Sequence, residues 1–422
     1  MNVAHELERA LRPVVGGDLP VHLTAWDGST AGPVDAPRVV LTSPRALRRM
    51  LWNPGELGAA QAYVTEDLDV NGDLVAALDH VWDVARRRGL GGVRPGPVTL
   101  ARAVAVAARV GALGPRLPNP SSQAHIRGRR HSRRRDRKVI SHHYDLTHEF
   151  YGLILDSRMA YSSAYFTIHP EVSPQAVDGE LEDAQRDKLD LVCRKVGLEP
   201  GMRFLDIGCG WGALSLHAAT EYGARVVGVT LSREQKQYAD ARIAALGLDS
   251  IVEIRVQDYR EISGGDLLAD GGFDAVASLE MGEHVGEKNY PRYARTLFDA
   301  ARPGARVLIQ QMCRTGRHRG GGPFIEAFIA PDMTMRPTEE TVDLLTDGGL
   351  EPVDVEPMRE HYVRTVDGWL ANFERNYDRI VDLVGVETAR VWRLYLVGGR
   401  ASFAQGRMGV DQILLRRPEV AS

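Results

Sequence analysis

The stretch Arg203–Gly212, RFLDIGCGWG, constrains this chain more than any other. Phe204, Leu205, Asp206 and Ile207 form a mostly apolar run of strand length. Gly208, Gly210 and Gly212 follow at alternate positions, and ALSLHAATEYG (213–223) then has helical spacing. Strand, glycine turn and helix in that order make a ligand pocket. Glycine lets the backbone pass where a Cβ would clash, and the start of the helix offers unpaired N–H groups. Glycine-rich turns are common in α/β folds, so the loop alone is a weak signal. The GxGxG spacing, in place of GxGxxG leading to a pyrophosphate, points to an adenosyl ligand without phosphates, S-adenosylmethionine.

The rest of the second half repeats this rhythm. Strand-like runs at FLDIG, ARVVGVTLS, VEIRVQDY, FDAVASLEM and ARVLIQQM alternate with helical segments such as EDAQRDKLDLVCRKVGL and EQKQYADARIAALGL. Such alternation predicts an α/β fold with a doubly wound, mostly parallel sheet and its ligands at the carboxyl ends of the strands. Before it, residues 1–88 read as a small α+β domain, 89–140 as a linker carrying a helix and a basic run, and 141–422 as the catalytic domain.

At 422 residues, 44% hydrophobic and 26% charged, the chain has the composition of a soluble globular protein of more than one domain. Its three cysteines, Cys193, Cys209 and Cys313, have neither metal-ligand spacing nor a disulfide framework and suit a reducing cytosol. The opening MNVAHELERALRPVV does not read as a signal peptide, and the apolar stretch 98–114 is interrupted by Arg102 and Arg109, so contact with lipid is expected from the water side. Residues 126–138, IRGRRHSRRRDRK, carry eight Arg or Lys against one Asp. This run reads either as a solvated loop or as a contact with an anionic surface, a membrane or a nucleic acid. It holds no aromatic residue to stack on bases.

Chemistry-bearing residues gather at the strand ends. The second strand ends in GVTLS (228–232) with no acid for a ribose, leaving Thr230 and Gln235 to supply neutral hydrogen bonds. The third ends in Gln257, Asp258 and Tyr259, a carboxylate for an adenine amine and a ring for stacking. The fourth runs into SLEMGEHVG (278–286), which brings Glu280, Glu283 and His284 to the place where α/β enzymes keep their active sites. Upstream, residues 142–166 are dense in aromatics and small polar groups, either as core packing or as a lid that closes an aromatic box over a sulfonium.

Taken together, HYDL-x-x-x-FY-x-x-x-LD-x-x-M-x-YS-x-AYF, AQ-x-x-KL, LDIGCGWG, GVTLS-x-x-Q, QDYR and E-M-x-EHVG-x-KNY resemble the cyclopropane-fatty-acyl-phospholipid synthase family from about residue 125 onward. GELG-x-x-x-AYV-x-x-DLDV-x-GDL near the start resembles the leading domain of its longer bacterial members. The resemblance implies a class I, Rossmann-like S-adenosylmethionine methyltransferase fold with a small N-terminal α+β domain. It implies methyl transfer to the cis double bond of an unsaturated phospholipid acyl chain. Tyr161, Ser162, Asp206, Gly208, Gly210, Thr230, Gln235, Asp258 and Tyr259 fall at the cofactor positions.

In ring-forming members the base is a bicarbonate held by a cysteine backbone, a glutamate, a histidine and a tyrosine, among others. The glutamate is Glu283 here and the tyrosine falls at Tyr362, but the cysteine is Ser163 and the histidine is Gln310. The catalytic set the resemblance implies is therefore Glu283, Tyr362, Ser163, Gln310 and His284, with bicarbonate at an altered site or another base, such as Glu283 or Tyr362, in its stead. The alteration favours a methylene-branched product over a cyclopropane, with a separate reductase to complete a methyl branch.

Phe324, Ile325, Phe328, Ile329, Met333 and Met335 suit either an acyl tunnel or a helix contact. The basic run then reads as a grip on phospholipid headgroups, at the cytoplasmic, inner face of the membrane. A homo-oligomer is expected and nucleic acid is not. An RNA methyltransferase, or a sensor without turnover, are the competing readings.

Overall fold

The computed structural model describes residues 2–90, 97–124, 131–132, 135, 146–167, 180–316 and 318–419. Two compact units emerge. One holds residues 1–123 with 323–328 and 384–401, and the other holds 124–322, 329–383 and 402–422.

The first unit is built on a four-stranded sheet in the order Thr30–Ala31, His22–Thr24, Arg38–Leu41, Leu68–Asn71. Leu23 and Leu41 point from it into a core with Val3 and Leu7. The helix Pro97–Arg109, expected in a linker, contributes Val106 and Ala107 to that core, because its apolar stripe needs a partner and finds it here. Helix Leu74–Arg87 starts at Asp73, whose carboxylate accepts from the N–H groups of Val75 and Ala76. Arg390, from the returning stretch, lies 4.0 Å over the ring of Tyr63 and donates to the Tyr63 carbonyl.

The second unit carries seven strands: β1 Arg203–Ile207, β2 Arg225–Thr230, β3 Val252–Val256, β4 Phe273–Leu279, β5 Ala301–Cys313, β6 Glu351–Pro357 and β7 Gly409–Arg416. Their order is β6-β7-β5-β4-β1-β2-β3, and β7 alone runs against its neighbours. The doubly wound, mostly parallel sheet read from the sequence is therefore the fold.

Alternate residues of β1 feed two cores. Phe204 joins one with Val192 and Leu216, while Leu205 and Ile207 join the other with Tyr293 and Leu297. The helices α1 Glu180–Val196, α2 Ala213–Tyr222, α3 Arg233–Leu246, α4 Tyr290–Ala300 and α5 Thr338–Asp347 cover those faces. A sixth, α6 Arg359–Arg375, brings Tyr362 and Trp369 into the interior. Among the described residues no helix is long and apolar enough to cross a membrane.

Candidate active site

Between β1 and α2 the chain turns through Gly208 at φ +82° and Gly210 at φ +53°, values that side-chain-bearing residues adopt at a cost. The N–H groups of Gly208 and Cys209 both donate to the Val229 carbonyl of β2, which pins the turn to the sheet. A Cβ on Gly208 would come within 2.9 Å of Met281, whereas one on Gly210 would meet nothing within 4 Å. The open space beside Gly210 belongs to a cavity at the strand ends, lined by the loop and by Tyr161, Ser162, Lys188, Thr230, Gln235, Gln257, Tyr259, Glu280 and His284 among others.

Several of the expected cofactor residues are fixed by hydrogen bonds. Thr230 donates to Oε1 of Gln235 at 2.6 Å, so the Gln235 amide nitrogen remains as a donor. Asp206 accepts from Ser215 at 2.8 Å, and burial pushes its carboxyl up to about 6. Ser162 accepts from Lys188 at 2.7 Å. The Tyr161 ring, which lines the cavity, lies 5.3 Å from Trp369 and 5.6 Å from Tyr151, two buried rings that do not line it. Asp258 is gripped by the Arg260 guanidinium at 2.6 and 2.8 Å and does not line the cavity, while its neighbours Gln257 and Tyr259 do.

Three of the five expected catalytic residues, Ser163, Gln310 and Tyr362, meet at a residue outside the set. Glu280 follows the last residue of β4 and sits at φ +51°, a left-handed conformation that costs a side-chain-bearing residue about 1–3 kcal/mol. Its N–H donates to the Gln310 carbonyl at 2.6 Å, a consequence of the β4–β5 register that sets Leu279 beside Gln310. Its carboxylate accepts three hydrogen bonds from three separate segments. The Ser163 N–H and the Gln310 amide reach Oε1 at 2.7 and 2.8 Å, and the Tyr362 hydroxyl reaches Oε2 at 2.6 Å.

The orientation of Gln310 is fixed from behind. Gln412, its register partner on β7, donates to Oε1 of Gln310 at 3.0 Å and itself accepts from Lys195 at 2.9 Å. With its oxygen so used, Gln310 must present its NH2 to Glu280. Ser163 is placed by flanking bonds, Gln185 to the Ser162 carbonyl at 2.9 Å and the Ala164 N–H to Thr365 at 2.9 Å.

Glu283 lies three residues on in the same turn, with no exposed surface. Neither of its carboxyl oxygens has a hydrogen-bond partner among the described residues. Burial first, and the neighbouring Glu280 second, push its carboxyl up to about 8. Burial raises Glu280 as well, but its three donors and Lys188 pull the other way, so Glu280 carries the negative charge of the pair and Glu283 the proton. Burial lowers Lys188 to about 8 and His284 to about 4, with His131 adding to the latter. The thiols of Cys193, Cys209 and Cys313 are all pushed up by burial, the opposite of an activated nucleophile.

The six apolar residues read as a tunnel or a helix contact do not line this cavity, although Ala330 of the same stretch does. Phe324, Ile325 and Phe328 lie in a short helix, Pro323–Phe328, that belongs to the first unit and packs there on helix Glu56–Val64. Most of the basic run lies outside the described residues. Within it, Arg135 makes a two-pronged ion pair with Asp332, at 2.5 and 3.2 Å.

Glu280 is the residue that the sequence pattern displayed without assigning. Its signal was an acid at the first position past a central strand, and what hid its importance was that its partners come from Ser163, Gln310 and Tyr362, far away in sequence.

The fold and this cavity define a class I S-adenosylmethionine-dependent methyltransferase. The solved cyclopropane synthase MmaA2 from Mycobacterium tuberculosis superposes with a TM-score of 0.60 at 25% identity, over 66% of this chain and 98% of that one. Mycolic acid cyclopropane synthase CmaA1, solved in complex with SAH and CTAB, superposes with a TM-score of 0.59 at 26% identity and the same coverage. Residues 131–413 match the family model for mycolic acid cyclopropane synthetase, and the chain belongs to that family.

Relatives extend over nearly the whole chain. A probable fatty acid methyltransferase of Pseudomonas putida is 35% identical over 95% of this chain and 92% of its own length. Tuberculostearic acid methyltransferase UfaA1 of Mycobacterium tuberculosis is 32% identical over 94% and 88%. The residues present fit S-adenosylmethionine: a side chain at Gly210 would fill the space left open there, and the end of β2 offers Thr230 and Gln235 in place of an acid.

Proposed function

We propose that this enzyme methylates the cis double bond of an acyl chain in an unsaturated phospholipid and releases a methylene-branched chain. The observation that carries the reading is a cavity in which the glycine loop, the ring of Tyr161 and the half-buried carboxylate Glu280 face one space. Relatives that span nearly the whole chain, among them a probable fatty acid methyltransferase and a tuberculostearic acid methyltransferase, support it.

Gly208, Gly210, Thr230, Gln235, Tyr161 and Ser162 would hold S-adenosylmethionine, which would supply an electrophilic methyl on a sulfonium. An alkene is a poor nucleophile, so alignment in a site without water must supply much of the rate. Tyr161, which lines the cavity, offers an aromatic ring to positive charge, first on the sulfonium and then on the alkylated chain.

Two departures from the ring-forming pattern, Ser163 for cysteine and Gln310 for histidine, favour the methylene product. A separate reductase would then complete the methyl branch. Attachment to the inner membrane surface through the remaining arginines of residues 126–138 belongs to the same reading.

The deciding experiment incubates the purified protein with S-adenosylmethionine and vesicles of a monounsaturated phospholipid, followed by proton NMR of the acyl esters. Vinylidene protons establish the methylene product and high-field ring protons establish a cyclopropane. If neither signal appears, the lipid reading falls.

A further inference from the structure

A half-buried carboxylate at the end of a strand, facing a cavity and held by three donors from three segments, is an expensive arrangement. Backbone strain at Glu280, partial loss of hydration and the proximity of Glu283 all oppose it. Such a cost persists where the charge is used.

The donors are those expected around bicarbonate. The Ser163 N–H, the Gln310 amide and the Tyr362 hydroxyl, which the sequence pattern assigns to a bound anion, all reach the Glu280 side chain instead. Their capacity to hold a free anion is thereby spent. We propose that Glu280 is the general base of this enzyme, a carboxylate of the protein itself standing where a small bound anion was expected. This rests on the lipid-methylation reading above and names the group that completes it.

The chemistry balances. Alkylation of the double bond leaves a cationic carbon on the acyl chain. A hydride then moves with its electron pair from the methyl-bearing carbon to that cation, shifting the charge to the branch point. Glu280 next takes a proton from the added methyl, and the C–H pair left behind becomes the exocyclic double bond. One Glu280 oxygen becomes an O–H, so the positive charge that entered with the methyl group leaves as one proton. Closing a ring would take the same proton from the same carbon, without the hydride shift.

Other titratable groups that line the cavity are less suited to this step. His284 is too weak a base, Lys188 is a cation bonded to Ser162, and Asp206 is held by Ser215 at the root of the glycine loop. Oε2 of Glu280 accepts from Tyr362 and retains a second lone pair for the incoming proton. Burial raises its basicity, in the direction a base requires.

Glu280→Gln keeps the shape and removes the base. With the full-length protein, turnover on unsaturated vesicles should fall by about 100-fold or more, while calorimetry shows S-adenosylmethionine affinity within about threefold of wild type. Wild-type turnover should be the same in carbonate-free buffer as with added bicarbonate. Glu280→Gly opens the position, and this variant, unlike wild type, should bind 13C-bicarbonate by NMR and regain turnover with bicarbonate or formate.

A Glu280→Gln enzyme that keeps more than about a third of its turnover overturns the proposal, as does a wild type that stops without bicarbonate and restarts with it. Should Glu280→Gln fail to fold, a folded Glu280→Gly enzyme decides: rescue supports the assignment, and no rescue ends it. If wild type makes no methylated lipid, the lipid reading fails by itself. The NMR comparison, with an infrared carboxylate band present in wild type and missing from Glu280→Gln, still decides whether Glu280 fills the anion position in ionised form.

Discussion

The hydroxyl of Tyr362 donates to Oε2 of Glu280 across 2.6 Å, joining α6 to the end of β4. It is the sole hydrogen bond to that oxygen among the described residues, and it stabilises the charged form of the carboxylate. In Tyr362→Phe the ring remains able to stack on Phe403, which lies 4.4 Å away, but the donor is gone. The pKa of Glu280 should rise, so the acidic limb of the kcat–pH profile moves to higher pH and turnover at neutral pH falls. A donor to a charged group contributes roughly 1.5–3 kcal/mol, and the limb should move by about one pH unit or more. An unmoved limb would show that the bond does not control the base.

Glu283 gives a prediction of opposite character. Its carboxyl is raised from 4.5 to about 8 by burial and by Glu280, so the folded protein holds a proton there that the unfolded chain releases above about pH 4.5. Stability from this group is therefore fully present below that pH and is lost as pH rises toward 8, at up to about 1.4 kcal/mol per pH unit. Glu283→Gln mimics the protonated form at every pH. Its melting temperature should match wild type near pH 4 and exceed it at pH 8, and its turnover should fall far less than that of Glu280→Gln. Parallel melting curves across this range would refute the protonated assignment.

Gly210 tests the cofactor pocket. Valine there is strained at φ +53° and would push its side chain into space that nothing in the protein occupies within 4 Å. Gly210→Val should lower the melting temperature through that strain yet, measured below the unfolding onset, lose S-adenosylmethionine affinity by at least about tenfold in calorimetry, because the obstruction lies in the cavity and not in the core. Undiminished binding would place the cofactor elsewhere.

These residues also show where sequence reading succeeds and where it stops. Phe204 to Gly212 was legible because a short apolar run, close-set glycines and a helical repeat are all local signals. The five parallel strands followed from the same logic. β6 did not, since EPVDVEP is largely exposed, bounded by acids and prolines, and becomes a strand only beside β7. Nor could the sequence give the return of 323–328 and 384–401 to the first unit, which requires contacts across more than two hundred positions.

At the site, spacing brought out Glu283 because it falls in the E-M-x-EHVG motif shared with the family. The convergence on Glu280 depends on the left-handed turn after β4 and on the Gln310–Gln412 register, neither of which leaves a local trace.

The N-terminal unit has its own buried charge, and it offers a test that leaves the active site untouched. Arg49 and Asp67 are 6% and 4% exposed and meet at 3.0 Å; the same carboxylate also accepts from Ser43 and Thr65, and Arg49 donates to the Pro118 carbonyl. Removing one member strands the other, and the penalty for an uncompensated buried charge is about 3–5 kcal/mol. Asp67→Ala should therefore destabilise this unit strongly, with an earlier transition or a lowered onset in calorimetry. Asp67→Asn, which keeps the acceptor oxygen, should cost less. Because neither residue lines the cavity, S-adenosylmethionine affinity measured below the unfolding onset should be unchanged in both variants. A loss of affinity at that temperature would mean that the first unit shapes the cofactor site, and an unaltered melting profile would mean that the ion pair contributes nothing to holding the unit together.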